Sequence, residues 1–594
     1  MQENKDNLLE LRKKINKLNE KETKLRNLYL KKIANGEVFG PATGWPSIDR
    51  PSLKYYSDTQ ITNELPKMTV FEYLKKCNEN NEDSIAISSK DGVYTYKELY
   101  EVIENAGKSL YSLGVNQDRK VMMMLPPTSY ESILFYATDV AGSAITETPI
   151  QNTIDEVMKK LNKFDIKVFF IDSSLLNKEI EEKIYQNTNV DTIVYTGYYE
   201  KNDSKTISWN EFLKIGIDKK IPDIKRNPDD LFFIASTGGS TGEPKSVMLS
   251  DNNFNMAVHQ YLNSDLKYNA KDTWLRLWSL FSASAAVSNN HLPLCAGMQM
   301  IIRDFPLNIN DFDKMIIEEQ PEHLILIPQL LDVLDKSELL KNKDLSNIKT
   351  AGCGGLGITA QFEENVNKFF KEHNINAFLG YGWGCTESYT LGSIRSNFET
   401  AKIGSTGATH VDTIVSAFDP ETLEEKSYGE EGELCIKNVK QMLGYYEDEE
   451  MTNDVLKKHE DGSIWLHTKD LGTVSSDGLV TVKGRMTRTI FVFPTAKIYP
   501  SELENMIAKI PGVDDVLIGE MPDKEHEGFG MPVAFIIPEE GLTNEEVNNN
   551  VMNICNSYLP EYAIPKNIYF LNEFPVTKVG KKDVRTLEKK YTRL

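Results

Sequence analysis

Between positions 231 and 245 the chain reads Leu-Phe-Phe-Ile-Ala-Ser-Thr-Gly-Gly-Ser-Thr-Gly-Glu-Pro-Lys. A buried-strand pattern runs into a loop that carries three hydroxyls (Thr237, Ser240, Thr241), three glycines (Gly238, Gly239, Gly242) and Lys245. Glycines let backbone N–H groups approach an anion, hydroxyls donate further hydrogen bonds, and the lysine adds charge. By composition this is a phosphate cradle. It differs from the Walker loop, because Glu243 and Pro244 separate Lys245 from Gly242. Taken alone, such a string serves equally well as an ordinary glycine-rich turn.

Further strings follow in order. They are Gly352-Cys-Gly354-Gly355-Leu356, Trp383-Gly384-Cys385-Thr386-Glu387, Gly432-Glu433-Leu434, and Gly444-Tyr445-Tyr446 with Thr452. Next come Trp465-Leu-His-Thr468-Lys469-Asp470-Leu471-Gly472, Gly484-Arg485, Pro500-x-Glu502-Leu503-Glu504, and Pro575-x-Thr577-x-x-Gly580-Lys581. This ordered set resembles the signature motifs of the adenylate-forming enzymes: acyl-CoA synthetases, peptide-synthetase adenylation domains and luciferases. The resemblance runs from about residue 66 to the end and leaves only the N-terminal extension uncovered.

The resemblance implies attack of a carboxylate on the α-phosphorus of ATP, giving an acyl-adenylate and pyrophosphate. Charge gathers on phosphate oxygens, so catalysis is positioning and electrostatic stabilisation. Carried over position by position, Thr237, Ser240, Thr241 and Lys245 hold the β- and γ-phosphates, within the loop that includes Gly238, Gly239 and Gly242. Thr386 bonds the α-phosphate, and Glu387 ligates Mg²⁺, a hard ion suited to carboxylate and phosphate oxygens. Gly354 and Gly355 form the turn beside adenine and acyl group, and Trp383 lies against adenine. Asp470 accepts from the ribose hydroxyls, Arg485 pairs with ribose or phosphate, and Lys581 bridges carboxylate and α-phosphate. The family then rotates its small C-terminal domain and admits a thiol, a division of labour suited to two steps that need different groups at one carbon. Arg488 stands at the expected hinge, where the family usually has Asp, Glu or Lys. Pro494-Thr495 and Lys469 replace family glycines that line the passage of the pantetheine arm, so the acceptor stays open between CoA and a carrier-protein phosphopantetheine.

In amino-acid-activating members an Asp near the pocket floor pairs with the substrate ammonium, and Ser282 stands at that position. A buried ammonium without a counter-charge is costly. The expected substrate therefore lacks a free α-amino group and is a fatty or aryl acid. Phe281, Ser282, Gly355 and Gly384 are the expected pocket residues, beside a Ser/Ala run that fits a roomy, weakly polar pocket or plain helix packing. Three functions remain: an AMP-forming acid–CoA ligase, a stand-alone adenylation enzyme that loads an acyl carrier protein, and a non-catalytic nucleotide-binding relative. Joint retention of Lys245, Glu387, Asp470, Arg485 and Lys581 speaks against the third.

The elements that position these groups follow from patterning. From 66 to 487, apolar β-rich runs such as 121–125, 168–171, 192–195, 231–234 and 324–327 alternate with helical or polar stretches. This predicts an α/β domain of largely parallel sheets, with a small antiparallel element near 411–436. Residues 488–594 read as a small, mobile α+β domain that carries Lys581. Residues 1–36 read as one charged helix, either a short coiled coil or a helix on the protein's own surface, and 37–65 as an extended connector. The chain has 594 residues and a formal charge of −21, from 67 Lys+Arg against 88 Asp+Glu. That balance argues against broad nucleic-acid binding, while a locally positive site for an anionic small molecule remains compatible with it. Six dispersed cysteines without a CxxC pair, and eight histidines without an HExxH string, point away from a disulfide framework or zinc site. No leader pattern or membrane-spanning apolar run is present, so a cytoplasmic location is expected.

Overall fold

The computed structural model describes residues 43–65, 67–200, 204–221, 226–237, 245–354, 357–389, 391–439, 441–493, 496–526, 528–577 and 582–592. The charged segment 1–36 lies outside them. So do Gly238, Gly239, Ser240, Thr241, Gly242, Gly355, Pro494, Thr495 and Lys581.

Two eight-stranded sheets carry the large domain. In one, Ile145–Glu147, Val121–Met124, Val168–Asp172, Thr192–Thr196 and Thr206–Ser208 run parallel beside Leu231–Ser236, which turns back antiparallel into Ser246–Ser250. The runs are continuously apolar because both faces are buried: Val168, Phe169 and Phe170 have no exposed surface. In the other sheet, Thr273–Arg276, Gln299–Ile302, His323–Leu326, Thr350–Cys353 and Leu379–Trp383 are parallel. Crossover helices such as Tyr96–Ser112 and Ala360–Glu372 cover these faces, and several begin on a capping box, as at Thr95 with Glu98.

The antiparallel element expected near 411–436 is the start of a five-stranded sheet of Thr413–Phe418, Gly432–Asn438, Leu456–Lys458, Ile464–Val474 and Val480–Arg485. A smaller α+β unit follows, with its own core running from Ile490 to Cys555 and Ala563. Its strands Val513–Pro522, Gly530–Pro538 and Ile568–Phe570 form one sheet, and helices Pro500–Ile507, Asn544–Tyr558 and Val584–Tyr591 accompany it.

The extended connector read over 37–65 is corrected for its described part. Residues 43–65 hold three short helical turns, Pro46–Asp49, Pro51–Tyr55 and Asp58–Thr62. Proline at the first helical position suits the first two, where its missing N–H is no loss. Leu53, Tyr56 and Ile61 then pack with Val411 on the large domain. No helix among the described residues is long and apolar enough to cross a membrane.

Candidate functional site

A cavity of about 930 Å³ opens where the strands of the second sheet end. Thr237, Lys245, Thr386, Glu387 and Arg485 line it, together with Gly354, Gly384, Phe281 and Ser282. The structure thus gathers residues separated by up to 248 positions, from Thr237 to Arg485. This follows the rule that open α/β sheets place ligands beyond the carboxyl ends of their strands.

At one end of the cavity the base of the glycine-rich loop is pinned, with Thr237 N–H donating to the Lys245 carbonyl at 3.0 Å. Lys245 Nζ lies 3.5 Å from Tyr445 Oη and 5.0 Å from the tyrosine ring centre. Tyr445 in turn donates its hydroxyl proton to Glu387 Oε1 at 2.6 Å. Burial and the Glu387 carboxylate push the Tyr445 hydroxyl far above its ordinary range, so it stays a donor. Among the described residues Lys245 pairs with no carboxylate, which leaves its ammonium available to an anion. Two further lysines frame the loop: Lys160 reaches Ser236 Oγ at 3.2 Å and Lys163 reaches Ser246 Oγ at 3.0 Å. The sequence reading gave no role to Tyr445 and did not single out Lys160 or Lys163. Tyr445 sits inside a recognised string, whereas the lysines look like an ordinary basic last turn of helix Ile154–Lys163.

Thr386 and Glu387 project from a single 3-10 turn, Thr386–Ser388, directly after strand Leu379–Trp383. A carboxylate with Oε1 fixed by Tyr445 and its other oxygen uncommitted among the described residues fits a hard cation shared with phosphate oxygens.

The expectation that Trp383 lies against adenine is not what the geometry gives. Along Leu379–Trp383 the odd positions face the core and the even positions, Gly380 and Gly382, face the cavity. Trp383 is therefore 8 % exposed, is part of the main apolar core, and donates its indole N–H to Asp470 Oδ2 at 2.8 Å. Asp470, buried at 7 % exposure, stands between Trp383 and the cavity-lining Arg485. Its Oδ1 pairs with Arg485 Nε at 3.0 Å, so Trp383 and Arg485 engage both of its oxygens. Burial raises its pKa, with Arg485 pulling in the opposite direction. Arg485, also bonded to the Thr468 carbonyl at 2.7 Å, is the group of this set that lines the cavity.

The loop that carries Phe281 and Ser282 is fixed from beneath by a buried ion pair. Glu131 pairs with Arg276, accepts the Leu280 N–H at 3.3 Å, and Arg276 donates to the Trp278 carbonyl at 3.0 Å. Ser282 caps the short helix Ala283–Ala286 by accepting the Ala285 N–H at 3.2 Å. A wider π-helical turn, Val287–His291, follows and turns Ser288 and Asn289 to the cavity.

Cys353 and Cys385 line the cavity too, yet burial pushes both thiols up to about 12, so neither is a ready nucleophile. Beneath Thr468–Asp470, ligand atoms of Glu433, Cys435 and His467 lie within 4.8 Å of one another. Hydrogen bonds take up this group: His467 Nδ1 meets Glu433 Oε2 at 2.7 Å and its Nε2 meets His459 Nε2 at 3.0 Å. Burial keeps the Cys435 thiol protonated. Arg488, the expected hinge, donates to Glu504 Oε1 and to the Ile518 carbonyl, both at 2.9 Å, which ties it to the smaller unit.

With this geometry in place, comparison with known proteins is informative. The family model described as AMP-binding enzyme matches residues 74–446, and that described as AMP-binding enzyme C-terminal domain matches 502–581. The 4-coumarate–CoA ligase 2 of Solanum tuberosum is 26% identical over 547 residues, which cover 89% of this chain and 95% of the relative. The 4-coumarate–CoA ligase 1 of Arabidopsis thaliana is 26% identical over 511 residues, covering 83% and 87%. Among solved structures, the anthranilate CoA ligase AuaEII in complex with anthranoyl-AMP superposes with a TM-score of 0.78 at 18% identity, covering 89% of this chain and 98% of that one. ATP-bound MatB from Rhodopseudomonas palustris does so with a TM-score of 0.76 at 18% identity, covering 88% and 99%.

Proposed function

Because the chain belongs to the AMP-binding enzyme family, we propose that it activates a carboxylic acid with ATP as an acyl-adenylate and then passes the acyl group to the thiol of CoA. In the first step a carboxylate oxygen bonds to the α-phosphorus while the bond to the pyrophosphate oxygen breaks. In the second, a thiolate bonds to the acyl carbon and AMP leaves. Relatives and structural neighbours that are CoA ligases support the acceptor.

The observation that carries this reading is the linked set Lys245, Tyr445 and Glu387 at the phosphate end of a cavity that Thr237, Thr386 and Arg485 complete. Lys245 would take the outer phosphates, and Glu387 would hold Mg²⁺, which would supply positive charge to offset theirs. Thr386 steadies the α-phosphate, and Arg485, held by Asp470, faces ribose or phosphate. Lys581, outside the described residues, is the group that bridges the attacking carboxylate, brought in by a small domain that turns about Arg488. Ser282 offers a helix-capping hydroxyl and no counter-charge for an ammonium, which favours a fatty or aryl acid over an amino acid.

The test is AMP and pyrophosphate release over a panel of fatty, aryl and amino acids, with and without CoA. Acid-dependent AMP formation that turns over with CoA is expected. ADP as the product, or amino acids as clearly best substrates, would overturn the reading. Turnover only with a phosphopantetheinylated carrier protein would move the acceptor from CoA to that partner, an outcome that Lys469 and Pro494-Thr495 at the thiol passage keep in view.

A further inference from the structure

Strand parity shapes the cavity beyond the nucleotide groups. On strands Thr350–Cys353 and Leu379–Trp383 the alternate residues Ala351, Cys353, Leu379 and Trp383 are buried. The other face carries Thr350, Gly352, Gly380 and Gly382, and continues into Gly354 and Gly384. Gly352 pairs across the sheet with Gly380 on one side and with Ile325 on the other. Leu391 covers Gly382, and a Cβ added there would meet its Cδ1 at 2.7 Å. A Cβ at Gly354 would meet nothing within 4 Å, and one at Gly352 would meet Ile325 Cγ1 at 3.2 Å. The floor is thus bare backbone flanked by Ile325, Ile327 and Leu391, and Thr350 to Gly354 alone covers about 13 Å at about 3.3 Å per residue.

This floor does not close at its far end. The lining continues past the amino ends of the strands to Asn376, Phe378, Asn397 and Phe398, together with Asp265 and Lys267. Their mutual contacts place several of them on one rim. Phe378 and Phe398 meet edge-to-face with centres 5.2 Å apart, and Asn397 Nδ2 donates to Asp265 Oδ2 at 2.9 Å. The rim is in solvent: Phe398 is 67% exposed, and Asp265, Lys267 and Asn376 are exposed as well. One mouth is therefore at the carboxyl ends of the strands, beside Thr386 and Glu387, and a second lies at their amino ends.

Resting on the acid-activating reading above, we infer that the substrate is a linear, long-chain acid. Its carboxylate lies at Thr386, its chain lies along the Gly352–Gly380 floor, and its tail leaves through the mouth rimmed by Phe378, Phe398 and Lys267. A compact ring acid occupies only the part next to Thr386 and leaves the apolar remainder of the channel wet. A linear chain removes that surface from water along its whole length, a gain proportional to the area covered.

The test uses the full-length wild-type protein and four acids: butyrate, laurate, 4-coumarate and laurate carrying a dansylamino group at its terminal carbon. Acid-dependent AMP formation gives kcat/KM, and dansyl fluorescence without ATP gives binding independently of turnover. Laurate is expected to exceed 4-coumarate at least tenfold, and the tagged acid to stay within tenfold of laurate because its tag projects through the second mouth. Gly352→Leu should lower the laurate-to-butyrate ratio at least tenfold, and should that variant fail to fold, the tagged acid on the wild type decides. Activation of 4-coumarate with no reaction or binding of the tagged acid would overturn the channel while leaving the proposed function intact. Tight binding of the tagged acid with no AMP from any acid would overturn the proposed function and uphold the channel.

Discussion

Replacing Tyr445 by Phe removes one hydroxyl from the centre of the Lys245–Tyr445–Glu387 set and leaves the ring that lies under the Lys245 ammonium. The lost contact is a hydrogen bond of 2.6 Å to a carboxylate, and bonds to charged groups contribute about 1.5–3 kcal/mol. Glu387 is only half-buried, so water can replace the hydroxyl and the lower end applies. About 1.5 kcal/mol corresponds to about a tenfold loss in rate. The loss is expected in adenylation, because Glu387 is the proposed holder of Mg²⁺ and loses its fixed orientation. ATP–pyrophosphate exchange measured over a Mg²⁺ titration should show kcat/KM down about tenfold and a higher Mg²⁺ concentration for half-maximal rate. Thioester formation from supplied acyl-adenylate and CoA should remain close to wild type. Unchanged exchange with an unchanged Mg²⁺ dependence would show that Tyr445 does not position Glu387, and equal losses in both steps would point to general damage instead.

Lys581→Ala should abolish adenylate formation while thioester formation from a supplied adenylate continues; equal loss of both half-reactions would refute a two-position small domain. All six cysteines are free, but in the native protein iodoacetamide should modify Cys77 first, since the Cys295 hydrogen bond lowers its pKa while burial raises those of Cys353, Cys385 and Cys435. Peptide mapping that found Cys385 labelled ahead of Cys77 would contradict this order. Burial lowers the pKa of both His291 and His410 to about 3, well below the ordinary imidazole value of about 6.5. The unfolded chain therefore binds more protons between those values, so their contribution is complete above about pH 6.5 and declines by up to about 1.4 kcal/mol per pH unit per histidine as pH falls. Melting temperature should drop below pH 6.5 more steeply for wild type than for His291→Asn, and parallel curves would rule the account out.

Much of the fold is legible because doubly buried strands announce themselves. Strands Val168–Asp172 and Leu231–Ser236 are apolar except for their last residue, and the sequence reading places their ends within two residues. The turns over 43–65 are not, since helices of four and five residues have no periodicity to detect and depend on packing against Val411. At the site, motif strings reveal residue types but not which way side chains point. Trp383 illustrates the difference: its place in the string is right for a nucleotide site, while strand parity sends the indole into the core to hold Asp470. The Tyr445–Lys245 approach joins positions 200 residues apart, and no local pattern encodes it.

Lys469 shows how a departure from a motif can keep its shape. Its backbone adopts φ +62°, the left-handed region that a glycine enters without penalty. A lysine there carries a cost of about 1–2 kcal/mol, so something must hold it. The Glu433 carboxylate accepts the Lys469 N–H at 2.9 Å while its other oxygen engages His467, and the Lys469 ammonium reaches Asp454 at 2.6 Å. The Asp454 pair is largely exposed and weak, so the buried Glu433 contact is the stronger constraint. Burial opposes ionisation of Glu433 more than any single partner favours it, but His467, the Lys469 N–H and Lys457 together outweigh it and hold the carboxyl below its ordinary range. The buried Glu433–His467–His459 chain therefore accounts for a left-handed turn without glycine. That turn places Thr468 and Asp470 on either side of the Arg485 guanidinium, one by its carbonyl and the other by its carboxylate, and so aims Arg485 at the cavity.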